Sequence, residues 1–169
     1  MQRILLFLLI ALVASCRGGG GDNSAALESG PAQFDANPGL QLSWAESGGS
    51  VDVTLTAGQV VDLYQAAAAI TYPPDKYTIS EIAPGGGLGN PSETFFAGAE
   101  TRPGRLEFGY TKRFAGPGEL GDVALLSFRV AEAGQFRISD FQVDYEETPP
   151  VARDSGKQAI DLPSPGGEQ

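Results

Sequence analysis

From Leu40 onward, apolar side chains recur at every second position in short runs, and no other feature limits the fold so strongly. Val51, Val53, Leu55 and Ala57 alternate with Asp52, Thr54 and Thr56. Leu106, Phe108 and Tyr110 alternate with Arg105, Glu107 and Gly109, and Ala124, Leu126, Phe128 and Val130 form one face of a further run. Only extended backbone sends successive side chains to opposite sides, so each run reads as a half-buried strand. Phe136 and Ile138 begin another whose phase slips at Ser139-Asp140 before Phe141, Val143 and Tyr145 resume it; a bulge is the expected cause. Asp62 to Ile70 holds four consecutive alanines, which suit a helix by propensity. Yet Tyr64, Ala66, Ala68, Ile70 and Tyr72 also alternate and Pro73-Pro74 stops the run, so a strand is expected, its alanines admitting Trp44 or Phe108 from a facing sheet. A last edge strand is expected over Lys157 to Leu162.

Strands recur about every 12–20 residues with Gly, Pro, Asn or Asp between them, and no amphipathic helix alternates with them. The expected architecture is all-β: an antiparallel β-sandwich, jelly-roll-like, of about 8–9 short strands. Gly 23 and Pro 12 supply the turns. The loop Pro84-Gly85-Gly86-Gly87-Leu88-Gly89-Asn90-Pro91 lacks the spacing and the following Lys-Ser or Lys-Thr of a phosphate cradle, and is expected to be a long flexible connection.

The first residues, MQRILLFLLIALVASC, have a different logic. Arg3 precedes an apolar run from Ile4 to Ala14 and then small residues, the shape of a secretory signal. As a helix the run would span about 17 Å, short of the ~30 Å hydrocarbon core. Val13-Ala14-Ser15-Cys16 is similar to a bacterial lipobox, so residues 1–15 are expected to be removed and Cys16 acylated, leaving the membrane reached through a lipid anchor only. Cys16 is the one cysteine in the chain. Residues 16–38 form a Gly-rich tether, 39–162 the sandwich and 163–169 a tail. Arg17 is not the aspartate of an inner-membrane retention signal, which favours the outer membrane or the cell surface.

Composition removes several function classes. The net charge of −10 argues against nucleic acid, whose phosphates require clustered Lys and Arg. There is no histidine, so the commonest general base and metal ligand are missing, and serine nucleophiles lack that partner. Glu81, Glu93, Glu107 and Asp122 are carboxylates a glycosidase could use, but each fits as a solvated outward residue, and no enzyme is expected. Asp140, Asp144, Glu146 and Glu147 offer the hard oxygen ligands of a Ca²⁺ site, although no EF-hand loop accompanies them; an acidic edge that resists strand pairing is the alternative. Tyr64, Tyr72 and Tyr110 fall on apolar faces, leaving Trp44 and Tyr77 as the rings free to stack on a sugar.

The order of these features resembles the cohesin family. The likeness is carried by Val51-Asp52-Val53-Thr54-Leu55, Ala69-Ile70-Thr71-Tyr72-Pro73, Tyr77 to Ile82, Leu106-Glu107-Phe108-Gly109-Tyr110, Gly116-Pro117-Gly118-Glu119-Leu120 and Val123 to Val130. It covers about Leu40 to Leu162. One departure is the corner Tyr72-Pro73-Pro74-Asp75, where the family shows Tyr-Asp-Pro, so corner contacts do not transfer. The resemblance implies a sandwich that captures a protein partner, dockerin-type or another envelope or extracellular protein; related sandwiches bind polysaccharide, and a structural place in a surface or secretion assembly is a third reading. The acidic charge suits a basic partner. Replacing Cys16 with Ser is expected to yield soluble protein or unprocessed precursor on membrane fractionation; a variant that still fractionates with membranes at wild-type yield would refute the lipid anchor.

Overall fold

The computed structural model describes residues 39–131 and 136–164, so Cys16, the signal and the tether lie outside the described residues. Nine strands follow in order: β1 (Gly39–Ser47), β2 (Ser50–Thr71), β3 (Thr78–Pro84), β4 (Thr94–Arg102), β5 (Arg105–Lys112), β6 (Glu119–Ala131), β7 (Gln142–Val143), β8 (Val151–Asp154) and β9 (Ala159–Ile160). Every pairing is antiparallel, as the alternation implies.

The two runs expected to be separate strands, Val51–Ala57 and Asp62–Tyr72, are one strand, β2, 22 residues long. Held straight it would measure about 70 Å, whereas a domain of this size has a radius of gyration near 14 Å. It bends instead. Gln59 (φ 55°) and Asp62 (φ 61°) adopt the left-handed region, and the register against β6 skips between Ala57 and Val60 and again between Val60 and Leu63. The first half of β2 lies between β1 and β6, and the second half pairs with β5 and with β8 and β7. Leu63 touches both sets, facing Glu119 of β6 and Asp154 of β8. The hydrogen-bonded network is therefore continuous, in the order β3-β6-β2-β5-β4, and closes into two layers around β2.

Both layers turn their apolar residues onto one core. Val51, Val53, Leu55, Ile70, Leu106, Leu125, Leu126 and Val130 are fully enclosed. Leu125 and Leu126 are both buried because the β2–β6 register slips between Leu55 and Thr56, so the expected face of β6 changes phase there: Val123 and Leu125 point inward before it, Leu126, Phe128 and Val130 after it. Phe108 reaches the alanines from the neighbouring strand rather than from a facing sheet, since it pairs with Ala68. The phase slip at Ser139-Asp140 is a single 3-10 turn over Ile138–Asp140, not a bulge. Phe141, just beyond it, is ringed by Tyr77 (4.9 Å between ring centres), Tyr72 (5.5 Å), Phe128 (5.6 Å) and Phe136 (5.6 Å). The expected last strand shrinks to Ala159–Ile160 and pairs with β8.

The glycine loop is pinned, not loose. The Gly85 and Gly87 N–H groups donate to the carbonyls of Leu125 and Ala124 (3.1 and 2.9 Å), and Leu88 is 1% exposed. A Cβ on Gly87 would stand 2.5 Å from the Ala124 nitrogen. Gly87→Ala is therefore expected to cost about 1–3 kcal/mol in denaturant unfolding, as other forced overpackings do; Gly116→Ala, with nothing near its Cβ, should change stability by less than about 0.5 kcal/mol.

Candidate functional site

Alternation gives each layer an outward face, and the two faces differ in chemistry. On the β3-β6-β2-β1 side, Glu81, Arg129, Asp52 and Ala45 stand in register across four strands, next to Ala83, Ser127, Thr54 and Ser43. Arg129 Nε donates to Asp52 Oδ1 (2.7 Å) and its Nη1 to Glu81 Oε1 (2.9 Å). This is an ion-paired, hydroxyl-rich surface suited to water.

The β4-β5-β2-β8 side is nearly bare. Ala97 pairs with Gly109, Gly109 with Ala67 and Ala67 with Val151, giving a row of four residues without a polar side chain. Leu106, Phe108, Tyr110, Ala66, Ala68, Ile70 and Ala152 occupy the alternate, buried positions, so this row faces outward. A Cβ at Gly109 would meet no atom within 4 Å. The next row is Phe95, Thr111, Gln65 and Arg153. Phe95 is 54% and Val151 43% exposed, so each holds apolar surface in water. Three of these strands pair over about seven residues and β8 over four, so at about 4.8 Å spacing the face is at most roughly 19 by 23 Å.

One end of this face is closed by a buried arginine. Arg105, 4% exposed, donates from Nε to Glu107 Oε1 (2.7 Å), from Nη1 to Asp144 Oδ2 (2.6 Å) and from Nη2 to Thr148 Oγ1 (2.6 Å). Glu147 receives Arg102 at 2.7 Å and lies 3.4 Å from Arg105. Asp144 Oδ1 also accepts the N–H groups of Glu146 and Glu147 (3.0 and 2.9 Å), while its own N–H donates to Ala69 (2.9 Å). The segment between β7 and β8 is thus fastened to the end of β5 and β2. The Arg105 guanidinium holds both Asp144 and Glu107 below the usual carboxylate range.

These contacts reassign the residues singled out from the sequence. Asp144 is consumed by Arg105 and the chain N–H groups, and Asp140 accepts the Tyr77 hydroxyl (2.9 Å) and the Lys76 ammonium (3.2 Å). Glu146 is exposed and does not complete a site with them: among the described residues no three His, Cys, Asp or Glu side chains gather as metal ligands. Calcium coordination by Asp140, Asp144 and Glu146 is therefore dropped, because two of the three carboxylates already serve internal donors. Tyr77 is 6% exposed, its ring against Phe136 and Phe141, and burial followed by its bond to Asp140 pushes the hydroxyl pKa up. Trp44 is half-buried and tilted on Phe136 (6.2 Å). Neither ring presents the open face that sugar stacking needs, because both complete the aromatic end of the core. Tyr72 and Tyr110 are buried as expected. Of the four candidate acid–base carboxylates, Glu107 pairs with Arg105, Glu81 with Arg129, Asp122 accepts the Gln59 N–H, and Glu93 accepts the Asn90 side-chain amide (3.2 Å).

The alternation does not reveal the bare face, because two of its strands, β4 and β8, carry no period of two. Val151-Ala152-Arg153 is too short to show a period. In β4, small residues fill both the inward and the outward positions, which leaves no alternation to read. The signal that remained was Phe95 and Phe96 followed by Ala97-Gly98-Ala99, a neutral run between the Gly loop and Glu100.

No family model matches the chain, and no curated protein matches it. Solved structures do. The sixth cohesin of scaffoldin B from Acetivibrio cellulolyticus, in complex with a mutant dockerin, superposes with a TM-score of 0.61 at 16% identity, over 75% of this chain and 92% of that one. CaCohA2 from Clostridium acetobutylicum gives 0.55 at 20% identity, over 76% and 88%. A non-cellulosomal cohesin from the archaeon Archaeoglobus fulgidus gives 0.55 at 12%, over 75% and 85%. At such identities the likeness establishes the fold, a cohesin-like β-sandwich.

A pH dependence follows from the arginine. Carboxylates held below their ordinary pKa stabilise the folded state above the unfolded value, near 4, and that contribution is lost as pH falls through the depressed value. Arg105→Met is expected to melt well below wild type at pH 7, and the gap should narrow between about pH 5 and pH 3. Thermal melts across that range check it; a gap independent of pH would contradict the role given to Asp144 and Glu107.

Proposed function

We propose that this chain is a non-enzymatic docking module whose β4-β5-β2-β8 face receives a protein partner, of dockerin type or from another extracellular assembly. The observation that carries the reading is the contrast between the two outward faces: one is ion-paired and hydroxylated, the other an uncharged row of Ala97, Gly109, Ala67 and Val151 beside exposed Phe95. A surface with almost no side chains lets a partner's backbone approach closely, with little side-chain entropy lost on contact. The face, at most about 440 Å², is no more than about half the ~800 Å² per partner of a standard interface, so a partner also covers the charged rim at Arg102, Glu107 and Glu147. A cohesin-fold relative in complex with a dockerin supports this reading.

We place the module outside the cell, held at the envelope by acylated Cys16 on its Gly-rich tether, with the outer membrane or cell surface as destination. The support is the lipobox-like Val13-Ala14-Ser15-Cys16 and the single cysteine. Polysaccharide binding is set aside, since it rested on Trp44 and Tyr77.

Gly109→Arg is expected to abolish capture of the partner from envelope extract, as a long cation placed in open space at the centre of the face changes nothing inside the fold. Ser127→Arg, on the opposite face, should capture as wild type does. If both variants capture equally, or if the wild type is retained on cellulose, chitin or xylan instead, the face does not dock a protein.

A further inference from the structure

We propose that the bend of β2 is the end on which this protein rests against a bilayer, with Val61, Leu120 and Phe114 entering the lipid surface. This contact presupposes the attachment through Cys16 put forward above; it adds which end of the molecule meets the lipid, and by which side chains. Among the described residues five large apolar side chains are exposed, and Phe95 and Val151 belong to the bare face. The other three are the most open of all, Val61 at 71%, Leu120 at 70% and Phe114 at 65%. The fold collects them at one place. Val60 pairs with Gly121 and Leu63 with Glu119, so Val61 and Asp62 together oppose Leu120. Val60 and Leu63 are buried, which leaves Val61 and Leu120 side by side on the outer surface of the bend. Phe114 lies in the loop from β5 to β6, which is held at the same bend. The Tyr64 hydroxyl donates to the Phe114 carbonyl (2.8 Å), and the Gly118 N–H donates to Asp62.

Exposed apolar side chains are ordinary when scattered; gathered together they mark a contact. A protein partner is a poor fit to this one. Even an aromatic side chain buries no more than about 250 Å², so three side chains fall short of the ~800 Å² per partner of a standard interface. They also stand on a convex bend rather than a flat sheet, and a bilayer surface yields to a convex tip. The carboxylates beside them are already engaged with this chain's own donors. Asp62 accepts the Ser155 hydroxyl (2.6 Å), Glu119 the Lys112 ammonium (2.7 Å) and Asp122 the Gln59 N–H (3.1 Å). Arg113, next to Phe114, is exposed and among the described residues forms no ion pair, so it suits the phosphates at the level of the headgroups.

The point where the chain from Cys16 enters the fold chooses the lipid surface over other occupants. It enters at Gly39, whose partner across the sheet is Gly58, three residues before Val61. The opposite end of the molecule is the aromatic cluster. There Phe141 touches both Tyr72, just past the end of β2, and Phe128, which pairs with Val53 near its start, so the two ends of β2 meet far from the bend. Attachment through residues 16–38 therefore brings the apolar bend to the bilayer before any other part. Fully extended, that segment could reach about 80 Å, so it supplies proximity but no orientation. Proximity raises the effective concentration of lipid at the bend, and a few apolar contacts then suffice to hold one orientation. With the bend down, both halves of β2 stand up from the bilayer and the bare face opens sideways to a partner.

The chain from Cys16 to Gln169 keeps every described residue and carries one thiol, Cys16, and one tryptophan, Trp44. Its thiol is coupled to a maleimide lipid in phosphatidylcholine vesicles, whose lack of net charge does not repel an acidic protein. This coupling attaches the chain whether or not the cell acylates Cys16, so its outcome is independent of the anchor itself, which Cys16→Ser tests. Phe114→Trp and Leu120→Trp place a reporter in the bend. On the vesicles each is expected to emit further to the blue than in solution, and to be quenched by lipid brominated on its acyl chains beyond the quenching of Trp44 alone. Ser47→Trp, in the exposed hairpin between β1 and β2 at the other end, should show neither change. Adding Val61→Asp, at an exposed position, to Phe114→Trp should return the emission to its solution value. Emission from 114 and 120 that vesicles leave unchanged, equal quenching at 47, or quenching that survives Val61→Asp would each overturn the proposal. So would a blue shift at 114 that grows with protein concentration in the absence of lipid, which would assign the bend to a second copy.

Discussion

The bend in β2 is the constraint from which the rest of the molecule follows. A 22-residue strand can belong to a small domain only by serving both layers, and it does so by twisting through Gln59 and Asp62 in the left-handed region. Asp is among the few residues with a side chain that occupy this region readily. Here its carboxylate also secures the bend: Oδ1 accepts the Gly118 N–H, and Oδ2 accepts the Ser155 hydroxyl (2.6 Å) and N–H (3.2 Å). These bonds depress its pKa, the Ser155 hydroxyl most of all. The loop before β6 and the turn after β8 are thus tied to the point where β2 leaves one layer for the other. That same crossing sets Ala67 beside Gly109 and Val151, so the bare face exists because the strand bends where it does.

The Arg105 network acts at the opposite end of β5. A buried ion pair is weak evidence of net stability, since desolvation offsets much of the attraction. Its geometric effect is firmer. With Glu107, Asp144 and Thr148 all bound to one planar guanidinium, the segment after β7 has one placement, and it covers Ala69 while leaving Ala67 open. The charged groups gather at the rim and the centre stays neutral. In a protein interface that arrangement lets the rim direct approach while the centre excludes water.

Most of the fold was legible in the alternation, and the errors have a common physical source. β5, the latter part of β6 and both halves of β2 could be read because their inward residues are large and their outward ones polar. That contrast vanishes where outward residues are alanine or glycine, as at Ala97, Gly98 and Ala99, and β4 was missed for that reason. Tyr77 was placed outside because a phenol suits either water or a buried partner; Asp140, 63 residues away, made it a buried one. Asp140 and Asp144 looked like neighbours in an acidic cluster. In the fold one answers Tyr77 and Lys76, the other Arg105, and their proximity in sequence carries no function.

By itself, the sequence determined the backbone state, since a period of two admits only extended chain, and the all-β, antiparallel class, since short turns cannot cross between parallel strands. Without a histidine, it also left no residue for histidine-based catalysis. Tertiary structure decided where surfaces lie. Ala67, Ala97, Gly109 and Val151 are scattered over 85 positions of chain and mean nothing until strand register sets them side by side. Whether a small residue fills a tight interior or opens a flat exterior is invisible locally, because the difference lies in what stands opposite, and that is supplied by distant chain.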